Sequence, residues 1–321
     1  MPPRRRHGRR LLKALLPVAA LLALGVAAFA FWVVHTVAHP PTHAYLVTPA
    51  GYERLSPRGV KATEETWSND DGTKSRGWLL RGAEGAPAVV LLHAYGADRS
   101  WLFNLAVKIN EATNFTVLCP DLRGHGQNPG VATTTFGARE GKDAAAARAF
   151  LRALKTPQQR PLVGKQFGLY GVELGASAAL LSAARGGDAG EINALALDSI
   201  PARPDDLMRG VMRDRVGFAG GAPFQLARAG SRLYFLGKYE DAPACEAAAT
   251  LGGLRVLLLS GADAGALRAS TQELARCFPD AGAVELNVDL PVTGLQASST
   301  TGEAGEAYDR LVIEFFQKSL R

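Results

Sequence analysis

The sequence predicts an α/β protein, a mostly parallel central sheet with helices on both faces, preceded by one N-terminal transmembrane helix. Two observations carry this prediction. From "AVVLLHAY" onward, short apolar runs rich in β-branched residues alternate with helix-forming stretches, the order that a parallel sheet with crossover helices requires. Ahead of them, "ALLPVAALLALGVAAFAFWVV", Ala14 to Val34, runs for 21 residues without a charge.

As a helix that apolar stretch would rise roughly 30 Å, the thickness of a bilayer's hydrocarbon core. Pro17 is expected near the helix start, where a missing N–H matters least, and Trp32 at the far end, where aromatic side chains anchor. Residues 1–13 hold Arg4, Arg5, Arg6, Arg9, Arg10 and Lys13 and no acid. The positive-inside rule then predicts a basic cytoplasmic tail, a single-pass helix over 14–34 in an inner or plasma membrane, and an extracytoplasmic body. A cleaved signal peptide is the competing reading, with "AFA" at Ala28 to Ala30 as a cleavage site. The apolar run is long for a signal sequence and continues past that triplet, which favours an uncleaved anchor.

The chain has 321 residues with 47% hydrophobic and 21% charged, composition enough for a sizeable core. Its net charge of +6 comes from the tail: without those six bases, thirty bases face thirty acids. The body is therefore neutral, and with no Gly-rich phosphate loop, internal repeat or heptad run, nucleic-acid and nucleotide binding have no support. No cofactor is expected.

Residues 35–59, with prolines at 40, 41, 49 and 57 and no periodic pattern, read as a linker; 60–321 is the folded domain. "ATEETWS" and "SRGWLL", split by "NDDG", read as an antiparallel hairpin. "AVVLLHAY" is a buried strand and is followed by a helical pattern over Trp101 to Ala112. "FTVLCPD" is the next strand, and Arg139 to Lys155 a helix with one apolar face. "FGLYG" with "ELGASAALLSAAR" repeats the pair, then "ALALD". An irregular insert, Ser199 to Gly253, precedes "RVLLLSG", the helix "ALRASTQELARCF", "AVELNVD" and the closing helix "EAYDRLVIEFFQKSL".

Cys119, Cys245 and Cys277 fit no metal spacing. Cys119 ends a buried strand and reads as a small core residue. An extracytoplasmic body permits Cys245 and Cys277 to pair.

Three motifs fall in order on three strands: "LLHAYGADRS", "CPDLRGHGQN" and "GVELGASAAL". Together they resemble the α/β-hydrolase family, in its serine-hydrolase, esterase-like branch, over roughly Tyr45 to Arg321. The resemblance implies a strained strand-to-helix turn, G-x-S-x-G, presenting a nucleophilic serine. Gly171 and Gly175 keep the turn, but Glu173 stands at the serine position. The oxyanion hole would be formed by the backbone N–H groups of Leu174 and Tyr95, which the substitution leaves intact.

The family's histidine should follow the nucleophile in the chain, yet the six histidines are His7, His35, His39, His43, His93 and His125, all before Glu173. Leu295 or Gln296 falls nearest the position where it would come. The acid position is matched one residue early by Asp263, with Ala264 at the expected place. A glutamate can attack carbon, but hydrolysing the ester it forms needs a base to activate water. At a helix N-terminus Glu173 is favoured by the dipole, and a side chain folded back onto the Leu174 and Tyr95 amides would fill the anion site.

Neighbouring residues have structural readings. Ser177, one turn beyond Glu173, is expected to pack; His93 to be hydrogen-bonded in place; Arg123 and His125 to hold their loop; Glu140 and Asp143 to lie on a solvated helix face. Glu173 and Asp263 make no metal site without a histidine or a third acid.

The expected function is that of a membrane-anchored pseudohydrolase binding a small acyl or peptide ligand, or a protein partner. The insert 199–253, with "RPDDLMRGVMRDRVGFAGG", lies where this family often grows a lid, and its Met, Phe and Arg suit such a surface. An active hydrolase of esters, amides or peptides with a displaced catalytic set is the alternative; a stable body whose purpose lies in its anchor or linker is a third reading.

Overall fold

Runs such as "VVLL" and "LALA" bury both faces of a strand and so demand helices above and below the sheet. In the computed structural model, which describes residues 4–55, 61–127, 130–185, 192–218, 220–236, 239, 242–297 and 302–321, they do so in one eight-stranded sheet of order β1-β2-β4-β3-β5-β6-β7-β8. β1 (Ala62–Ser68) and β2 (Lys74–Leu80) form the expected hairpin, closing at Ser68 opposite Lys74. Gly72 takes the left-handed conformation that the turn requires. β2 runs antiparallel to β4 (Thr116–Pro120). From β4 through β3 (Ala86–Leu92), β5 (Val163–Val172), β6 (Ile192–Asp198), β7 (Arg255–Gly261) and β8 (Val284–Leu290), every pairing is parallel.

On one face, α3 (Phe103–Thr113) and α11 (Glu303–Ser319) cover a core that includes Leu91, Val117, Tyr170 and Phe316. Lys108 of α3 ties the two helices together through Asp309 and Glu306 of α11, at 2.6 and 2.7 Å. On the other face lie α4 (Ala138–Ala153), α5 (Leu174–Ala184) and α9 (Leu267–Leu274). Three helices, α6 (Pro204–Val216), α7 (Gly221–Tyr234) and α8 (Ala244–Ala249), occupy the insert between β6 and β7. Cys245 of α8 is disulfide-bonded to Cys277, just beyond α9, while Cys119 is a buried free thiol.

Helix α1 (Arg4–Ala38) is longer than the apolar run predicts, and Leu15–Ala38 is long and apolar enough to cross a membrane. Because the helix begins at Arg4, Pro17 lies in its interior and not near its start; its missing N–H leaves the carbonyl four residues back without an intrahelical donor. The helix also passes Val34, because Val33, Val34, Val37 and Ala38 are completely buried against the body.

The stretch expected as linker is docked as well. Its described part carries α2 (Pro49–Leu55), with proline at the first helical position. Tyr52 packs edge-on to Phe103 and donates to Asn104 Oδ1 at 3.2 Å. Tyr45 donates to Asp121 Oδ2 at 2.8 Å beneath the Arg99 guanidinium. The end of the predicted linker, 56–59, and parts of the insert 199–253 lie outside the described residues.

Candidate functional site

The carboxyl ends of the parallel strands converge on the β5–α5 turn. Glu173 sits there at φ 49° and ψ −105°, a strained conformation for a residue with a side chain, as the first cap of α5. The turn is tight enough to explain both glycines: a Cβ on Gly171 would lie 2.2 Å from Gly175 O, and one on Gly175 would lie 2.1 Å from Leu92 O. That second approach seats the turn against the end of β3. It brings Gly175 against the chain where Leu92 and His93 leave the sheet.

The Glu173 backbone N–H donates to Asp198 O at 2.9 Å, and Glu173 O accepts from Ser177 N. Its side chain makes no capping hydrogen bond to α5, so the folded-back arrangement considered above does not form. Desolvation is the first cause of its raised pKa, followed by the carboxylates of Asp198, Asp214 and Asp263, and together they push it from 4.5 to about 7. A carboxyl titrating there is half protonated at neutral pH and can give or take a proton. As a nucleophile it is held back, because attack on carbon requires the anion.

Sequence reasoning missed the residue most closely bound to this turn, Asp198. It ends β6, is fully buried, and accepts from Ser199 Oγ at 2.6 Å, from Gly294 N at 2.6 Å and from the Tyr308 hydroxyl. Burial pushes its carboxyl up to about 6, against the lowering effect of those donors. Tyr308 in turn shares a 2.7 Å hydrogen bond with Tyr170. The available signal was an acid closing "ALALD", a strand next to β5, at the sheet edge where parallel α/β folds place their ligands. Ser199 apart, its partners Gly294 and Tyr308 lie about a hundred residues further on and give no local pattern.

After β8, where the resemblance places a histidine, the chain forms the short helix α10 (Gly294–Ala297). Gly294 leaves no room: a Cβ there would lie 2.3 Å from Tyr170 Oη and 2.8 Å from Tyr308 Oη. Two tyrosines and the Gly294 N–H thus surround the Asp198 carboxylate. The side chain of Leu295 lies outside the described residues. Gln296 is exposed on α10, held by a backbone bond to Thr293. Asp263 is exposed after β7, and its Oδ2 accepts from Thr293 Oγ1 at 2.8 Å and Thr293 N at 3.3 Å.

The histidines nearby are engaged in structure. His93 is buried; its Nδ1 lies 2.8 Å from Ala94 O and its Nε2 accepts from Leu122 N at 3.0 Å. That assigns Nδ1–H as the donor, and burial lowers its pKa to about 4. His125 is buried edge-on to His93, with Nδ1 2.9 Å from Arg123 O and a pKa also lowered by burial. Ser177 faces the start of α4, its Cβ 3.1 Å from where a Gly137 side chain would begin.

Glu140 and Asp143 do not form a solvated face: both are buried. Glu140 accepts from the Thr135 and Gly137 amides at 2.7 and 2.9 Å, and so caps its own helix. Asp143 holds Arg123 through Nε and Nη2 at 2.8 and 2.6 Å, and burial pushes its carboxyl up to about 6. The amphipathic pattern misled because these acids meet the threonine loop and Arg123 instead of water.

The end of α1 reaches the same edge of the sheet. Tyr95 Oη donates to Val37 O at 2.8 Å. Arg215 Nη1, from α6, donates to Thr36 O at 2.6 Å, His39 O at 2.5 Å and Tyr95 Oη at 3.1 Å. Thr134 N donates to Ala38 O at 3.0 Å. Two clefts, beside the β1–β2 hairpin and α4, are not lined by Glu173, Tyr95 or Leu174. Among the described residues, no three His, Cys, Asp or Glu side chains converge to hold a metal.

The sequence profile of the alpha/beta hydrolase family matches residues 89–318, well over half the chain, and the chain belongs to that family. Its fold is similar to that of an esterase from Pyrococcus furiosus, with TM-score 0.64 and 19% identity over 88% of this chain and 98% of that one. The esterase LipW from Mycobacterium marinum is similar at TM-score 0.58 and 18% identity, over 84% and 85% of the two chains. A dienelactone hydrolase from Anabaena variabilis is similar at TM-score 0.55 and 17% identity, over 82% and 99%. These likenesses concern the fold. A comparison with curated proteins gave no match.

Proposed function

We propose that this chain is a membrane-anchored, non-hydrolytic member of its family that acts by binding a ligand or a protein partner at the β5–α5 corner. The observation that carries the reading is Glu173: it occupies the turn from which the family's serine would attack, and the charged groups acting on it are carboxylates. A triad needs a base beside its nucleophile and an acid to orient that base. Here His93 is held at both ring nitrogens by backbone groups, and Gly294 with the two tyrosines surrounds Asp198 after β8. Retaining the backbone of the turn keeps a preorganised corner for a ligand's polar group at Tyr95 and Leu174.

The anchor reading rests on α1, and the extracytoplasmic placement of the body on the basic tail and on the disulfide, a bond that persists in oxidising compartments. A panel of short-chain esters, amides and peptides offered to the full chain in detergent tests the proposal. No turnover above the protein-free rate is expected of the wild type or of Glu173→Gln. Wild-type turnover would overturn it, through Glu173 if the variant lacks it and through a displaced catalytic set if the variant keeps it.

A further inference from the structure

Helix α7 has two faces to account for. One is packed: Phe224, Ala227 and Ser231 are buried against the body. The other is apolar and faces outward. Ala222, Leu226, Ala229 and Leu233 recur at spacings of four, three and four, so they line one stripe, and Leu236 follows just past the end of the helix. Along it only Leu226 is half-buried; Leu233 is 76% and Leu236 81% exposed. Leu236 also has φ 48°, a left-handed conformation that is costly for a branched side chain and is here spent on exposing it.

The position of this stripe identifies its occupant. α7 meets α1 at Ala30, Phe31, Val34 and His35: a Cβ on Gly230 would touch Val34 and Ala30, and the Tyr234 ring lies against Phe31 and within reach of His35 Nδ1. Phe218, between α6 and α7, stacks on Phe29. Below that level α1 is bare, with Leu15, Leu21, Leu24 and Val26 exposed. The run 14–31 rises about 27 Å as a helix, close to the hydrocarbon thickness. Tyr234, next to Leu233 in the chain, thus meets Phe31 at the level where α1 leaves the hydrocarbon. α7 contains no acid and has two arginines: Arg228, ion-paired to Asp205, and the exposed Arg232.

We propose that α7 is a second membrane-contacting element, lying in the lipid interface beside α1 with Leu233 and Leu236 among the acyl chains and Arg232 at the phosphate level. An outward apolar stripe, a basic flank and an adjoining span are the features of an interfacial helix. α6 and α7 form much of the insert above the β5–α5 corner, so this contact would turn that insert, and not the opposite sheet edge, toward the bilayer. The inference rests on the reading of α1 as an anchor.

The test uses the full chain in phosphatidylglycerol-containing vesicles, with an environment-sensitive fluorophore on Leu233→Cys, Leu236→Cys, Leu24→Cys or Asp70→Cys and lipids carrying a shallow nitroxide quencher. Exposed sites tolerate cysteine, and Cys119 is buried. The expected result is blue-shifted, strongly quenched emission at 233 and 236, none at 70, and insertion at 24. If 24 is inserted while 233 and 236 match 70, the α7 proposal is overturned and the anchor stands. If 24 also matches 70, the anchor reading fails and takes this inference with it. Quenching at 233 and 236 that is absent while the labels are shielded equally in detergent, with the protein migrating as a dimer, would assign the stripe to a second copy and also overturn the proposal.

Discussion

Glu173 and Asp198 titrate above their ordinary values, at about 7 and about 6. The folded chain therefore holds these protons more tightly than the unfolded chain does. The associated stability is complete below the ordinary carboxyl range and is lost as pH rises through 6 and 7. Glu173→Gln removes one of the two contributions: it should match the wild type near pH 4.5 and exceed it by about 1–2 kcal/mol at pH 8, measured by denaturant unfolding at the two pH values. An equal effect at both would show that Glu173 is not held protonated. Tyr308 supports the neighbouring carboxylate, so Tyr308→Phe leaves Asp198 short of a donor and should cost about 1–3 kcal/mol in the same assay. Neither effect depends on a ligand.

At the scale of elements, the β5–α5 turn depends on absent side chains. Gly175→Ala forces a Cβ into the Leu92 carbonyl, where backbone cannot give way as a flexible side chain can. It should lower stability by about 2–4 kcal/mol or abolish folding, whereas Ala176→Gly, one residue on, should cost about 1 kcal/mol. Much of this architecture was legible. The buried strands announce themselves as apolar runs, the β1–β2 turn as "NDDG", and the elbow as two glycines four apart. Less legible were features set by distant partners. α1 passes Val34 because the body buries Val37 and Ala38; Glu140 is buried because Thr134, Thr135 and Gly137 reach it; Asp198 gains its role from Gly294 and Tyr308. The predicted helix over 266–278 ends at Leu274, and the disulfide at Cys277 follows it.

Across the whole molecule, the apolar N-terminal helix is continuous with the corner that carries Glu173. Arg215 joins α6, the end of α1 and Tyr95 through one guanidinium nitrogen. Arg215→Ala should leave the sheet intact while releasing the last turn of α1, seen as faster amide hydrogen exchange over 34–39 and at Tyr95 and unchanged exchange in β5 and β6. Exchange that does not change at 34–39 would mean that buried Val33, Val34 and Val37 hold the contact without the arginine.

The central claim is that this corner has kept the family's backbone and lost its covalent chemistry. Intact-mass measurement of the full chain after exposure to a fluorophosphonate probe tests it most directly, with Glu173→Ser treated alongside. The wild type is expected to remain unmodified, and an adduct gained only by Glu173→Ser would show that the turn still presents a nucleophile to an intact anion site. One probe per chain on the wild type, at whichever serine, would contradict the account and identify a displaced catalytic set.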